Sequence, residues 1–256
     1  MNSISPSVSL TVTLTSLLNT ILAVVHSLRT RGRDRTILFA ALSVGLAGVG
    51  EYLATNRTVI LQHHLQPQVK RVPLAALLSW YNISYITFAL LDGLLASSSL
   101  SPEVRRQTLP ATTAVTATSL DLLLDPMGLD MGLWEWTQGG PYANEITGPN
   151  GKRGIPLDNF VGWMLLTGIT TATYQWLTDR RIEDMGRSDA VERAWGGRIA
   201  ALLLAPYYLG GVAWTVQQNR LRYLLYSFLV PLVLARALLP HRPPSTVCGG
   251  VARAGG

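Results

Sequence analysis

The sequence is poor in charged residues, cysteine and histidine. Only 14% of its 256 residues are charged, whereas a soluble domain usually carries about 25%. So few charges cannot cover a globule of this size with water-facing side chains, which excludes a soluble fold. The single cysteine, Cys248, excludes an internal disulfide framework and any Cys-based zinc or iron–sulfur site. The four histidines show no repeated metal-ligand spacing, and we expect neither a metal nor a cofactor.

Apolar residues dominate what remains. They make up 48% of the chain and fall in runs long enough to cross about 30 Å of hydrocarbon. The sequence therefore predicts an all-α fold, a polytopic membrane helix bundle of about seven transmembrane helices in one domain, 1–240. The predicted spans are 7–28, 36–54, 72–98, 108–125, 155–178, 197–217 and 221–239. The fourth is rich in threonine, which leaves a six-span alternative. The Pro/Gly-rich residues 241–256 are predicted to form a disordered cytoplasmic tail.

The positive charges predict the orientation in the cell membrane. With the N-terminus outside, the inner segments hold about twice as many Lys and Arg residues as the outer loops, as the positive-inside rule requires. We expect the C-terminus to be cytoplasmic. The net charge of +6 is interpreted as a topology signal and as contact with anionic lipid of the bilayer, not as a nucleic-acid surface.

Carboxyl groups inside apolar runs are costly and call for an explanation. Such residues are Glu51, Asp92, Asp121, Asp125 and Asp158. Each also has a purely structural interpretation. Glu51 could reach the membrane interface, and Asp92 could pair with a polar or basic residue of a neighbouring helix.

Asp121 and Asp125 are more informative as a pair. They are four residues apart and therefore lie on one helical face. Pro126 disfavours helical geometry at the residue before it, so the helix is predicted to stop there. Burial, the helix dipole and mutual repulsion would then all oppose ionisation. We expect at least one carboxyl to be protonated near neutral pH and able to donate a proton to an apolar substrate.

Asp158 has the opposite setting. The string Gly154-Ile155-Pro156 predicts the start of the fifth helix, where the dipole favours the ionised form of Asp158. An acid and a base in different environments are what acid–base catalysis needs. The alternative is that Asp158 only caps its helix.

An aromatic, Gly-rich loop, residues 132–153, lies between these acids. Its glycines and its Pro-Asn-Gly favour tight turns over helix. The aromatic residues could form an interfacial belt or line a pocket whose ring faces stabilise a cation. They are Trp134, Trp136, Tyr142 and Trp163, with a similar set, Trp80, Tyr81 and Asn82, in the third span.

These motifs resemble those of the carotenoid hydratase family of integral membrane proteins, which includes the γ-carotene and bisanhydrobacterioruberin hydratases. The strings that carry the resemblance are Asp121-Leu-x-x-Asp125-Pro126, Gly132-x-Trp134-x-Trp136, Tyr142, and Gly154-Ile155-Pro156-Leu157-x-Asn159-Phe160-x-Gly162-Trp163. Glu51-Tyr52 and Val72-Pro73-Leu74 with Trp80 look like upstream landmarks of the same family. Two segments depart from its pattern, 56–68 and 143–153, and both would border the substrate.

The resemblance implies cofactor-free addition of water to the terminal alkene of an acyclic carotenoid end, in carotenoid biosynthesis. In this interpretation Asp121 or Asp125 is the acid. Asp158 or Glu51, with Asn159, holds the water, and the aromatic residues bind the substrate and its cation.

Two other activities stay open at this stage. A protonation-initiated terpene cyclase would share the first step but would capture the cation with a second alkene of a polyprenyl substrate. A Mg²⁺-dependent membrane prenyltransferase would use Asp121 and Asp125 as metal ligands, but the sequence offers no second Asp-rich helix. A non-enzymatic lipid-binding role would leave the buried acids unexplained.

Overall fold

The computed structural model describes residues 5–179 and 190–239. Within these residues the chain is a helical bundle with short hairpins, which confirms the predicted all-α class. The helices are α1 (Pro6–Arg31), α2 (Arg33–Tyr52, continued by a π-helical turn, Leu53–Arg57), α3 (Leu74–Ala96), α4 (Pro102–Asp130), α5 (Leu157–Asp179), α6 (Ala190–Gln217), α7 (Arg222–Tyr226) and α8 (Leu229–Leu238). The hydrophilic segment 180–189 and the predicted tail lie outside the described residues.

Four of the described helices are long and apolar enough to cross a membrane. They are Pro6–Arg31, Arg33–Arg57, Leu74–Ala96 and Glu192–Gln217. The predicted fourth and fifth spans correspond to α4 and α5, which have a similar length but are not among these four. The predicted seventh span is broken at Ser227 into two short helices, α7 and α8. The number of crossings and their orientation stay predictions.

Helix α3 forms the centre of the bundle and packs against α1, α2, α4, α6 and α8. In its most apolar stretch 72% of the residues are buried, against 22% for α1 and for α2. The outer helices therefore expose their leucines and isoleucines, as lipid-facing helices do. Gly93 of α3 and Gly197 of α6 allow the two backbones to cross closely. A Cβ on Gly93 would lie 2.6 Å from the Cα of Gly197.

The end of α4 differs from the prediction. The helix does not stop before Pro126 but continues to Asp130, so Asp121 and Asp125 lie in its interior and not in its last turn. The prediction was wrong because the carbonyl that proline cannot satisfy, that of Leu122, finds another donor. The Tyr142 hydroxyl donates a hydrogen bond to the Leu122 oxygen at 2.6 Å.

Three two-stranded antiparallel sheets cover one end of the bundle. The strands are β1 (Leu61–His63), β2 (Gln68–Val69), β3 (Val72–Pro73), β4 (Trp134–Trp136), β5 (Tyr142–Thr147) and β6 (Arg153–Ile155), and the pairs are β1–β4, β2–β3 and β5–β6. The loop 132–153 therefore contains turns and no helix, as its glycines predict, and it also forms strands that the sequence analysis did not predict.

Glycines let this loop cross itself before α5. Gly154 has a φ of 75°, and a Cβ on it would lie 2.2 Å from the carbonyl oxygen of Gly140. The Gly140 N–H donates to the Arg153 oxygen at 2.9 Å. This backbone crossing sets where α5 begins and so where Asn159 points.

Candidate active site

A cavity of about 320 Å³ lies beneath the two-stranded sheets, among α1, α3, α4, α5 and α6. Eight of the eleven residues predicted from the sequence line it. These eight are Glu51, Trp80, Asp121, Asp125, Trp134, Trp136, Asn159 and Trp163. They come from five separate segments of the chain, so only the tertiary fold brings them together.

The two aspartates form one polar wall of the cavity. Their side chains are buried, with Asp121 2% and Asp125 6% exposed. The Asn159 amide nitrogen donates to both, to Asp121 Oδ2 at 3.3 Å and to Asp125 Oδ2 in a short contact. The two carboxyl groups also lie within hydrogen-bonding reach of each other. Such a pair can share one proton, because two adjacent buried carboxylates repel each other.

Glu51 provides a second acidic group in the same cavity. Its carboxyl accepts hydrogen bonds from both sides, from Trp80 Nε1 at 2.9 Å and from His63 Nε2 at 2.9 Å. These partners hold the Glu51 carboxyl inside the cavity. A carboxylate oriented in this way can accept a proton or position a water molecule.

Aromatic rings form the walls between the two acidic groups. Trp80 and Trp163 stack with ring centroids 3.7 Å apart. Trp134 fits over α4 because residue 128 is glycine, where a Cβ would lie 2.0 Å from the indole ring. Ring faces carry partial negative charge, so this lining suits a substrate that becomes cationic during the reaction.

The other three predicted residues lie outside the cavity lining. Tyr81 is buried in the core, stacked on Tyr85 with centroids 5.6 Å apart. Asp158 lies in the first turn of α5 and is exposed. Tyr142 acts one layer behind the site through its bond to α4. Burial raises the pKa of the Tyr142 hydroxyl well above its usual range, so this hydroxyl stays a donor at neutral pH.

His63 lines the cavity and contacts Glu51, but the sequence interpretation did not single it out. It lies in the segment 56–68, which departs from the family pattern, and no spacing rule connects it with Glu51. Strand pairing decides its position, because β1 places His63 opposite Trp134 of β4. The nearest available signal was the His63-His64 doublet after an intramembrane glutamate.

The two departing segments contact the same buried residue, Glu135. Its carboxyl is 1% exposed, accepts the Asn150 N–H at 2.5 Å and lies 3.2 Å from His64 Nε2. His64 belongs to the first segment and Asn150 to the second. The two segments are therefore connected through Glu135, so their departures from the family pattern are structurally linked.

The cavity reaches the surface between α1 and α6. Four of its lining residues are exposed, namely Thr15, Met131, Pro206 and Gly210. Three of these lie on the facing sides of α1 and α6, both of which are long enough to cross the membrane. An apolar molecule dissolved in the bilayer could enter there without passing through water.

Comparison with known proteins decides the family. A family model described as carotenoid biosynthesis protein matches residues 11–237. The chain belongs to this family. The match runs from α1 to α8 and includes every residue that lines the cavity. Neither the curated proteins nor the solved structures gave a match.

Membership in the carotenoid biosynthesis family agrees with the apolar, aromatic character of the cavity. Four of the described helices are long and apolar enough to cross a membrane, which fits the same role. The family assignment supports a role in carotenoid biosynthesis and confirms the resemblance found in the sequence at this level.

Proposed function

We propose that this protein hydrates the terminal alkene of an acyclic carotenoid end, without a cofactor. The observation that carries the proposal is the pairing of Asp121 with Asp125 through Asn159 in an apolar cavity that holds a second carboxyl, Glu51. One carboxyl of the pair, in its acid form, adds a proton to the less substituted alkene carbon. A tertiary cation forms at the neighbouring carbon.

The cavity suits the cation that this step creates. The stacked rings of Trp80 and Trp163, and the ring of Trp134, present π faces to it. The surrounding apolar walls exclude bulk water, which strengthens the interaction between the cation and these rings. Because bulk water is excluded, the nucleophile that reaches the cation is a molecule held by the few polar groups of the cavity.

Glu51 is the group that we assign to the water molecule. Water adds to the cationic carbon, and the carboxylate of Glu51 takes the proton that the resulting oxonium loses. One H₂O is added in total, and the proton returns to the aspartate pair before the next turnover. Asp158, the other candidate base, lies on the surface, which favours Glu51.

The size of the cavity favours a chain end over a whole carotenoid. Pockets that enclose a small ligand measure roughly 300 to 1,000 Å³, and this one, at about 320 Å³, is at the low limit. The chain end would then enter between Thr15 and Gly210, and the rest of a long polyene would remain in the bilayer.

The test is expression of the full chain in a host that makes lycopene or γ-carotene, followed by mass analysis of the lipid extract. A product heavier by one H₂O supports hydration. A product isomeric with the carotene would instead favour the cyclase, and loss of activity in EDTA would favour the metal-dependent prenyltransferase. An unchanged carotene profile in a host that inserts the protein correctly would contradict the proposal.

A further inference from the structure

A second and larger cavity, of about 730 Å³, lies at the opposite end of the bundle. On α3, twelve residues separate Trp80 of the first cavity from Asp92 of the second, which corresponds to about 18 Å along a helix. The fully buried rings of Tyr85 and Phe88 pack between these two positions. Nothing in the proposed reaction uses this cavity.

Arginines dominate its polar lining. Among the described residues that line it, five arginines face two carboxylates, Asp92 and Glu192; the arginines are Arg31, Arg35, Arg105, Arg106 and Arg193. The arginines come from α1, α2, α4 and α6, so four helices converge their positive charge on one space. An excess of positive charge in a cavity between membrane helices attracts anions strongly.

The guanidinium groups are only partly satisfied by the protein. Arg31 pairs with Asp92 at 2.9 Å and lies over the Phe88 ring at 4.4 Å, which fixes its orientation. The buried Nε atoms of Arg31, Arg105 and Arg193 have no hydrogen-bond partner within residues 5–179 and 190–239. Buried donors without a partner are costly. An anion with several oxygens would bind the other guanidinium N–H groups of the arginines that line the cavity.

The remaining walls are apolar. Phe88, Ala89, Leu95 and Leu109 line the part of the cavity that faces the bundle core. A ligand that fits both surfaces carries an anionic head and a hydrocarbon tail. Guanidinium groups match phosphate oxygens in geometry, often by two parallel hydrogen bonds.

We propose that this cavity binds the phosphate group of an amphiphilic ligand, with the arginines around the phosphate and the hydrocarbon chain along α3 and α4. The shared chemistry has two sources in a membrane, an anionic phospholipid and an isoprenoid diphosphate. The site is independent of the proposed hydration because it shares no residue with the first cavity.

Native mass spectrometry of the full chain in detergent can test this. The probes are phosphatidic acid, farnesyl diphosphate, inorganic phosphate and, as a zwitterionic comparison, phosphatidylcholine. We expect retention of phosphatidic acid or farnesyl diphosphate in preference to phosphatidylcholine. Whichever of the two binds identifies the source, and binding of inorganic phosphate alone would contradict the requirement for an apolar tail.

The variants are Arg105→Gln and Arg193→Gln, which leave the Arg31–Asp92 pair intact. Each should weaken binding of the retained probe by about tenfold or more, because a charge-assisted bond to phosphate is lost. Arg57→Gln is the matched control, since Arg57 is exposed at the other end of the bundle. The Arg57→Gln variant should bind the retained probe like the wild type. The melting temperatures of all three variants should stay unchanged.

Two further results would overturn the proposal. One is equal retention of phosphatidylcholine and the phosphate probes by the wild-type protein. The other is wild-type binding in both arginine variants. Because the readout is binding, failure here would not affect the hydration proposal, and loss of hydratase activity would not affect this one.

Discussion

The clearest perturbation of the proposed chemistry is Asp121→Asn, together with Asp125→Asn as a separate variant. Asparagine has almost the same size and shape as aspartic acid but cannot deliver a proton at neutral pH. Because both side chains are buried beside Asn159, the new amide can still donate a hydrogen bond to the remaining carboxyl. The fold should therefore survive, with a change in stability of about 1 kcal/mol.

The expected effect on turnover is much larger. A positioned general acid contributes about 10²- to 10⁴-fold to the rate, which corresponds to roughly 3 to 5 kcal/mol of the activation barrier. The residue that donates the proton should show the full loss. Substitution of the other aspartate should also remove most of the activity, because the shared proton and the hydrogen bonds from Asn159 hold the donor in place.

The assay compares conversion of the carotene per amount of inserted protein in the lycopene- or γ-carotene-producing host. Glu103→Gln is the matched control, because Glu103 is an exposed acid in the first turn of the same helix, with its side chain 57% exposed. It should convert the carotene like the wild type. Wild-type conversion by both aspartate variants would refute the proton-donor assignment.

Three further changes test other parts of the site. Glu51→Gln should abolish formation of the hydrated product, whereas Asp158→Asn should retain it; the reverse result in the same product analysis would move the base to α5. Gly128→Ala should displace the indole of Trp134, and thermal unfolding should show a loss of about 1 to 3 kcal/mol together with lower conversion. Gly210→Trp should close the opening between α1 and α6, so that conversion falls while the melting temperature holds; full conversion would contradict this entry route.

Local sequence rules predicted the helices well. Apolar runs of membrane length located every helical segment, because a backbone in hydrocarbon must satisfy its own hydrogen bonds. The rules failed where a distant residue supplied what the local chain lacked. Pro126 should end α4, and the Tyr142 hydroxyl, sixteen residues later in the chain, lets the helix continue.

The candidate site was predicted in part. Intramembrane acids and motif resemblance indicated Glu51, Asp121, Asp125 and Asn159, and the structure places all four in one cavity. Those signals could not indicate His63, whose contact with Glu51 depends on the pairing of β1 with β4. The same signals could not predict the arginine-lined cavity. Arginines near helix ends are explained equally well by the positive-inside rule and by a binding site.

The amino-acid sequence by itself determined that this chain is a membrane helix bundle, which residues lie in apolar surroundings, and which of them are acidic or aromatic. These properties follow from composition and from local spacing, which the chain carries before it folds. Only the tertiary structure decided which acids share a donor, which of them stays at the surface, and which arginines meet in one cavity. Those outcomes depend on contacts between residues far apart in sequence, whose geometry the packing of the helices around α3 sets.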